Sequence, residues 1–204
     1  MYLPKHFEQT DRAVLAALMR ARPLATLVVA TSDGPTADLI PLEYAEAEGP
    51  HGTLRGHVAR ANPLWRRAGA PVLAVFTGPE AYVSPGWYAS KREHGKVVPT
   101  WNYTMVQARG TLRAVDDAPW LRALVGRLTD HHERRAQAQP WSVSDAPDDY
   151  VQQMLRAIVG IEIPLDSLTG KWKVSQNRSA ADREGVVAGI DVTHPEMAAL
   201  VRGG

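Results

Sequence analysis

Residues 171–178, Lys-Trp-Lys-Val-Ser-Gln-Asn-Arg, place three cations, a tryptophan, two amides and a hydroxyl in eight positions. That set is dense for a surface loop and too polar for a core strand. Its donors suit an anion, and its ring suits a flat apolar partner. An extended Lys171–Val174 puts Lys171 and Lys173 on one face and Trp172 and Val174 on the other. Ser175, Gln176, Asn177 and Arg178 then turn the chain toward a helix capped at Ser179, so that five or six donors could converge. The competing reading is a turn in which Ser175 and Asn177 only satisfy backbone groups.

Three other stretches carry comparable chemistry. In RGHVARANPLWRRAG (55–69), Arg55 and His57 project from one face of a strand. Asn62 before Pro63 signals a helix start just past Arg60, with Gly69 placed to end it. Backbone N–H groups beside an arginine suit a phosphate, but the pattern is equally that of a capped connector with solvated arginines. In AYVSPGWYASKREHGK (81–96), Ser84-Pro85 repeats the cap-then-proline signal and presents Trp87 and Tyr88, with Lys91, Arg92 and Lys96 behind. In VPTWNY (98–103), strand alternation sends Trp101 and Tyr103 to one face and Thr100 and Asn102 to the other. That wall would back an aromatic ring system or a subunit interface.

Other chemistries are missing. His131-His132 project about 100° apart on a helix and lack HExxH spacing, so no metal site is expected. There is no cysteine, which excludes disulfides, thiolate nucleophiles and cysteine-ligated metal. Gly-rich phosphate loops, the GxSxG elbow and paired carboxylates in a catalytic setting are also lacking. No residue stands out as a catalytic acid or base, although His57 and Tyr103 could serve beside a bound ring.

The elements that must position these groups follow from periodicity. A helix from Thr10 to Ala21 leads. Short apolar runs follow: LATLVVA (24–30), ADLIPLEY (37–44), GTLRGHV (52–58), APVLAVFT (70–77) and AYV (81–83). The longest strand spans Val97 to about Val115, with Val106, Ala108, Gly110 and Leu112 on its buried face. Two amphipathic helices come next, around Trp120–Leu128 and, behind a cap near Asp148, Tyr150–Ile158. IVGIEIPL (158–165) is the last strand. Capping-box spacings at Ser179/Asp182 and Thr193/Glu196 mark two final short helices. The balance is mainly β with flanking helices, an antiparallel sheet or barrel.

The chain has 204 residues, 45% apolar content and 23 Lys and Arg against 22 Asp and Glu. One domain, residues 1–204 with a C-terminal helical extension, is the expectation. A net charge of +1 gives no field to draw the molecule onto nucleic acid. The N-terminus lacks a signal-like apolar run, and no apolar stretch approaches the ~20 residues of a membrane span. No membrane association and a cytoplasmic location are expected.

MYLPKHF, GHVARANP, AYVSPGWY, VPTWNY followed by Gly110, AIVGIEI and GKWKVSQNR leading into ADREGVV occur in this order over nearly the whole chain. Together they resemble the PaiB family of FMN-binding negative transcriptional regulators. The resemblance implies an FMN-binding split β-barrel of the kind shared with pyridoxamine 5′-phosphate oxidases, paired as a homodimer with FMN in a groove built by both subunits. It places the FMN phosphate at Arg55, His57, Arg60 and Asn62, and the ring or its rim near Ser84, Trp101, Asn102 and Tyr103. Lys171, Lys173, Ser175, Gln176 and Arg178 would reach the flavin or the partner chain. One departure is Gln107, where a histidine is expected. The resemblance implies regulation, yet residues 179–202 make a poor DNA reader, since THPEMAALVRG offers one arginine and carries Glu196. Regulation through the flavin is therefore expected. An FMN-dependent oxidoreductase of a small molecule and a split barrel binding haem or another small molecule are the alternatives.

Overall fold

The computed structural model describes residues 1–136 and 138–203. Among them, the strands are β1 (Glu8–Gln9), β2 (Leu24–Thr31), β3 (Gly34–Pro41), β4 (Glu43–Ala45), β5 (Thr53–Ala59), β6 (Pro71–Val83), β7 (Thr100–Thr111), β8 (Arg113–Val115) and β9 (Ile158–Lys173). The helices are α1 (Arg12–Ala21), α2 (Ser90–His94), α3 (Ala118–Ala136), α4 (Asp148–Arg156), α5 (Ala180–Ile190) and α6 (Pro195–Gly203). Hydrogen-bonded strand order is β3-β2-β6-β7-β9-β5-β4, and β1 and β8 also pair with β9. The order does not close on itself. The mainly β reading with flanking helices holds.

The chain forms two compact units. The first comprises Met1–Arg22, Phe76–Gln107 and Thr169–Gly204, and the second Pro23–Val75 and Ala108–Leu168. Strands β6, β7 and β9 contribute residues to both.

In the second unit, β2 pairs antiparallel with β3 and with β6, while β5 pairs with β4 and with β9. Period-2 burial puts Leu27 and Val29 inside. The opposite face of β2, β3 and β6 carries Leu24, Val28, Ala37, Leu39, Leu73 and Val75, matched by the pairs Val28↔Ala37, Thr26↔Leu39, Val28↔Leu73 and Thr26↔Val75. Leu24 is 55% and Leu39 66% exposed on this uncharged face. Helices α3 and α4 meet through Leu121, Val151 and Leu155, with Trp120 packed alongside. Gly160 lies against the Trp120 ring, so no larger residue fits there.

In the first unit, α1 buries Leu15, Ala16 and Met19, and α5 packs on α6 through the buried Val186, Ile190, Met197 and Val201. The cap of α1 is Asp11 rather than Thr10: its carboxylate accepts from the Ala13 N–H at 2.8 Å. Ser179 caps α5 as expected, accepting from the Asp182 N–H at 3.2 Å. At the last helix the Thr193 hydroxyl donates instead to the Ile190 carbonyl.

Strand boundaries differ from the sequence reading in several places, among them ADLIPLEY, which Leu42 divides into β3 and β4. AYV is the end of the long β6, not a separate strand. The long central strand breaks at Leu112, which exchanges two backbone hydrogen bonds with the turn at Gly69 and Ala70, leaving β7 and β8. IVGIEIPL does not stop at Leu165. It runs on to Lys173, paired with β7 and, near its end, with β1 through Glu8↔Lys171 and Gln9↔Gly170. The start of KWKVSQNR is thus strand.

Candidate functional site

Nine of the thirteen candidate residues fall in the first unit. Alternation along β7 leaves Trp101 54% exposed, buries Asn102 at 1% and half-buries Tyr103. Tyr82 meets the Trp101 ring edge-on at 5.9 Å. The wall predicted from VPTWNY therefore exists, and it faces solvent.

Beside it run the cations of β9. The Lys171 Nζ donates to the Tyr2 carbonyl at 3.1 Å and lies 5.2 Å from the centre of the Tyr103 ring. The half-buried Lys173 Nζ donates to the Thr100 hydroxyl at 2.5 Å and to the Trp101 carbonyl. Arg178 lies over the Tyr88 ring, 4.6 Å from its centre. Burial holds the Lys173 ammonium below its ordinary pKa, and the charges of Lys171 and Arg178 push it further down. Among the described residues, no carboxylate lies within salt-bridge distance of Lys171, Lys173 or Arg178. Lys171 and Lys173 crowd together with Arg178, whose charge Asp182 partly offsets, and an anion relieves their mutual repulsion.

The turn after them is rigidly built. Ser175 has φ +65, the only non-glycine residue at positive φ among those described. It is 4% exposed, and its hydroxyl accepts from the Asn102 amide at 2.9 Å. Gln176 closes the turn, accepting from the Val174 N–H at 2.7 Å and donating to the Trp172 carbonyl. Asn102, Ser175 and Gln176 are thus braces for the cations. Ser84 is a cap, accepting from the Gly86 N–H at 3.1 Å at the head of the short turn Pro85–Trp87. The Tyr88 hydroxyl is buried without a hydrogen-bond partner, and burial raises its pKa against the pull of Arg178.

The other four candidates lie in the second unit, where Arg55, Arg60 and Asn62 already have partners. Arg55 binds both Glu48 and, at 3.0 Å, Glu162. Arg60 forks onto Asp116 at 2.8 and 2.6 Å and also donates to the Arg156 and Ile158 carbonyls. Asn62 accepts from the Leu64 N–H and donates to Asp38. The helix it starts is a single five-residue 3-10 turn, Pro63–Arg67. His57 alone keeps an unpaired atom, a buried Nδ1, and desolvation lowers its pKa.

Two residues that the sequence marked only as a strand hydroxyl and a helix-cap partner belong with the first cluster. Thr100 receives Lys173, and Asp182 binds Ser90. Only the capping spacing at Ser179 signalled Asp182. Residues 131 and 132 form no metal cluster, and none is found among the described residues.

An open antiparallel sheet with flanking helices and a cationic, aromatic-walled surface defines a flavin-type split barrel. The chain belongs to the family described as "Putative FMN-binding domain", whose model matches residues 1–167. It is 30% identical to the protease synthase and sporulation protein PAI 2 of Bacillus subtilis, over 92% of this chain and 87% of that one. An uncharacterised protein of Aspergillus fumigatus is 32% identical, with 97% and 93% covered. Among solved structures, the FAD and heme binding protein of Mycobacterium smegmatis superposes with a TM-score of 0.60 at 20% identity, covering 89% of this chain and 80% of that chain. The protein is a PaiB-related split barrel, and FMN is its cofactor. No helix among the described residues is long and apolar enough to cross a membrane.

Proposed function

We propose that the protein works through FMN held against the KWKVSQNR segment, and that regulation of the PaiB type is exercised through the flavin rather than by reading bases. The observation that carries this reading is the crowding of Lys171, Lys173 and Arg178, none of them in a salt bridge among the described residues, beside the exposed Trp101. The residues fit the group: cations for an anionic edge and an aromatic wall for the ring. Lys173, fixed by Thr100 and the Trp101 carbonyl, orients the polar edge. Trp101 and Tyr103 exclude water from one ring face. Bound FMN supplies hydride and single-electron chemistry.

Base reading has little to work with. The one arginine of α6, Arg202, pairs with Asp191 at 2.8 Å, and Glu196 pairs with Arg22 at 2.5 Å. A second reading, oxidation or reduction of a small molecule on the same flavin, is favoured by the exposure of Trp101, which leaves room for a second planar ligand.

A homodimer is part of the proposal. The uncharged outer face of β2, β3 and β6 suits a second copy, since charge depletion distinguishes interface cores from ordinary surface. A cytoplasmic setting is proposed from the absence of cysteine.

The test is the visible spectrum of whatever purified protein releases on denaturation, followed by titration of stripped protein with FMN and with riboflavin. A two-banded flavin spectrum and saturable FMN binding are expected. Lys173→Met should weaken FMN about 10- to 100-fold, the effect of a charge-assisted hydrogen bond. A larger loss for FMN than for riboflavin places Lys173 at the phosphate, and an equal loss places it at the ring. Unchanged FMN affinity in the variant refutes the site. A Soret band in place of flavin would move the reading to haem.

A further inference from the structure

The loop AYVSPGWY and helix α5 are joined by two devices that the flavin site itself does not explain. The first is a buried carboxylate. Asp182 is 5% exposed, and its two oxygens accept separately from the Ser90 N–H and the Ser90 hydroxyl, each at 2.9 Å. Burial works against the Asp182 charge, but the Ser90 donors, the Ser179 hydroxyl and the nearby Arg178 outweigh it and hold the carboxyl below its ordinary pKa. The second device is a notch. Gly185 and Gly189, one turn apart on α5, face Trp87: a Cβ on Gly185 would stand 1.9 Å from the Trp87 carbonyl oxygen, and one on Gly189 would stand 2.4 Å from its ring.

Between these two contacts lies Tyr88, whose ring carries Arg178. Arg178 precedes the cap of α5 by one residue. The clasp thus fixes both partners of the Arg178–Tyr88 stack, one through the loop and one through the helix start.

We infer that Asp182 is a positioning residue for the cofactor: clasping Ser90 to α5, it sets Arg178 and Tyr88 at the KWKVSQNR site, and α5 with α6 is a brace for that site. This rests on the proposal that FMN lies against Lys173 and Arg178. It also gives the C-terminal helix pair a role that does not require DNA.

The experiment compares FMN affinity and hydrogen exchange of residues 84–96 in the wild type, Asp182→Ala, Ser90→Ala and Val186→Ala. Val186 is fully buried in the same helix and controls for general destabilisation. Asp182→Ala should weaken FMN by about tenfold, as expected for losing charge-assisted bonds that order a binding group, and should speed exchange in 84–96. Ser90→Ala keeps one of the two bonds and should fall between. Asp182→Glu retains the carboxylate and should restore part of the affinity. Val186→Ala, at an equal loss of urea midpoint, should leave FMN binding within about twofold of the wild type, since it touches no cofactor-facing contact. Equal weakening by Val186→Ala and Asp182→Ala, or slow exchange in 84–96 in Asp182→Ala, overturns the clasp. Failure of the underlying reading looks different: Lys173→Met would then bind FMN normally.

Discussion

The Asn102–Ser175 contact makes a sign-reversing prediction. Ser175 sits at φ +65, where a residue with a Cβ is strained by about 1 kcal/mol or more. Asn102 and Ser175 are 1% and 4% exposed and hydrogen-bond each other, so removing either strands a buried polar group at about 1–3 kcal/mol. Ser175→Gly relieves the strain, less about 0.5–1 kcal/mol of glycine entropy, but orphans the Asn102 amide. The net is destabilisation of roughly 1 kcal/mol. In an Asn102→Ala background the Ser175 hydroxyl is already orphaned. Ser175→Gly then removes an unsatisfied group as well as strain and should stabilise by roughly 1–2 kcal/mol. The assay is urea unfolding of the four proteins at one fixed protein concentration, analysed as a double-mutant cycle. A coupling of about 2–3 kcal/mol with opposite signs for Ser175→Gly is expected. The same sign in both backgrounds would mean that the stranded amide or hydroxyl finds water, and the braced-turn argument fails.

Three further outcomes follow from the second unit. Gly110→Ala would set a Cβ 2.2 Å from the Pro164 carbonyl oxygen, a backbone atom that cannot rotate away, so a loss of about 3 kcal/mol or more is expected in the same urea assay. The buried His57 has a folded pKa below its unfolded value, so the unfolded chain takes up the proton first as pH falls. Its contribution is whole above the unfolded value near 6.5 and declines below it, and His57→Gln should flatten the stability profile between pH 7 and pH 5. Leu39→Asp puts a charge on the uncharged outer face and should convert the proposed dimer to monomer in sedimentation, leaving the far-ultraviolet spectrum unchanged. A dimer persisting in Leu39→Asp would move the interface elsewhere.

Most elements were legible because their signals are local. Helix stripes predicted α1, α3 and α4, and the Asn62-Pro63 and Ser84-Pro85 pairs predicted two turns that form with those caps. What failed needed distant partners. Nothing near Leu165 says that β9 continues, because its partners are distant in sequence: β7, and β1 more than 150 residues earlier, with Gly170 lying against Leu15 and Gln9. Likewise the break at Leu112 is set by the backbone of Gly69 and Ala70.

The same limit explains why two arginine- and lysine-rich segments looked alike in sequence. RGHVARANP and KWKVSQNR both read as anion sites from residue types alone. Their difference lies in where the carboxylates are. Glu48, Asp116 and Glu162 reach Arg55 and Arg60 from positions 7 to 107 residues away, and no sequence window around 55–62 contains the last two. No carboxylate among the described residues comes within salt-bridge distance of Lys171, Lys173 or Arg178, and Asp182 offsets only part of the Arg178 charge, so most of their positive potential survives folding. An ion pair already made at a partly exposed site is worth little and has little left to offer a ligand, whereas crowded cations gain from any anion that joins them. On that ground Arg60→Ala should cost FMN less affinity than Lys173→Met, even though Arg60 has the stronger sequence signal for phosphate. A titration in which Arg60→Ala is the weaker binder would show that the Asp116 pair opens for the cofactor, and would return the phosphate to the Asn62 turn.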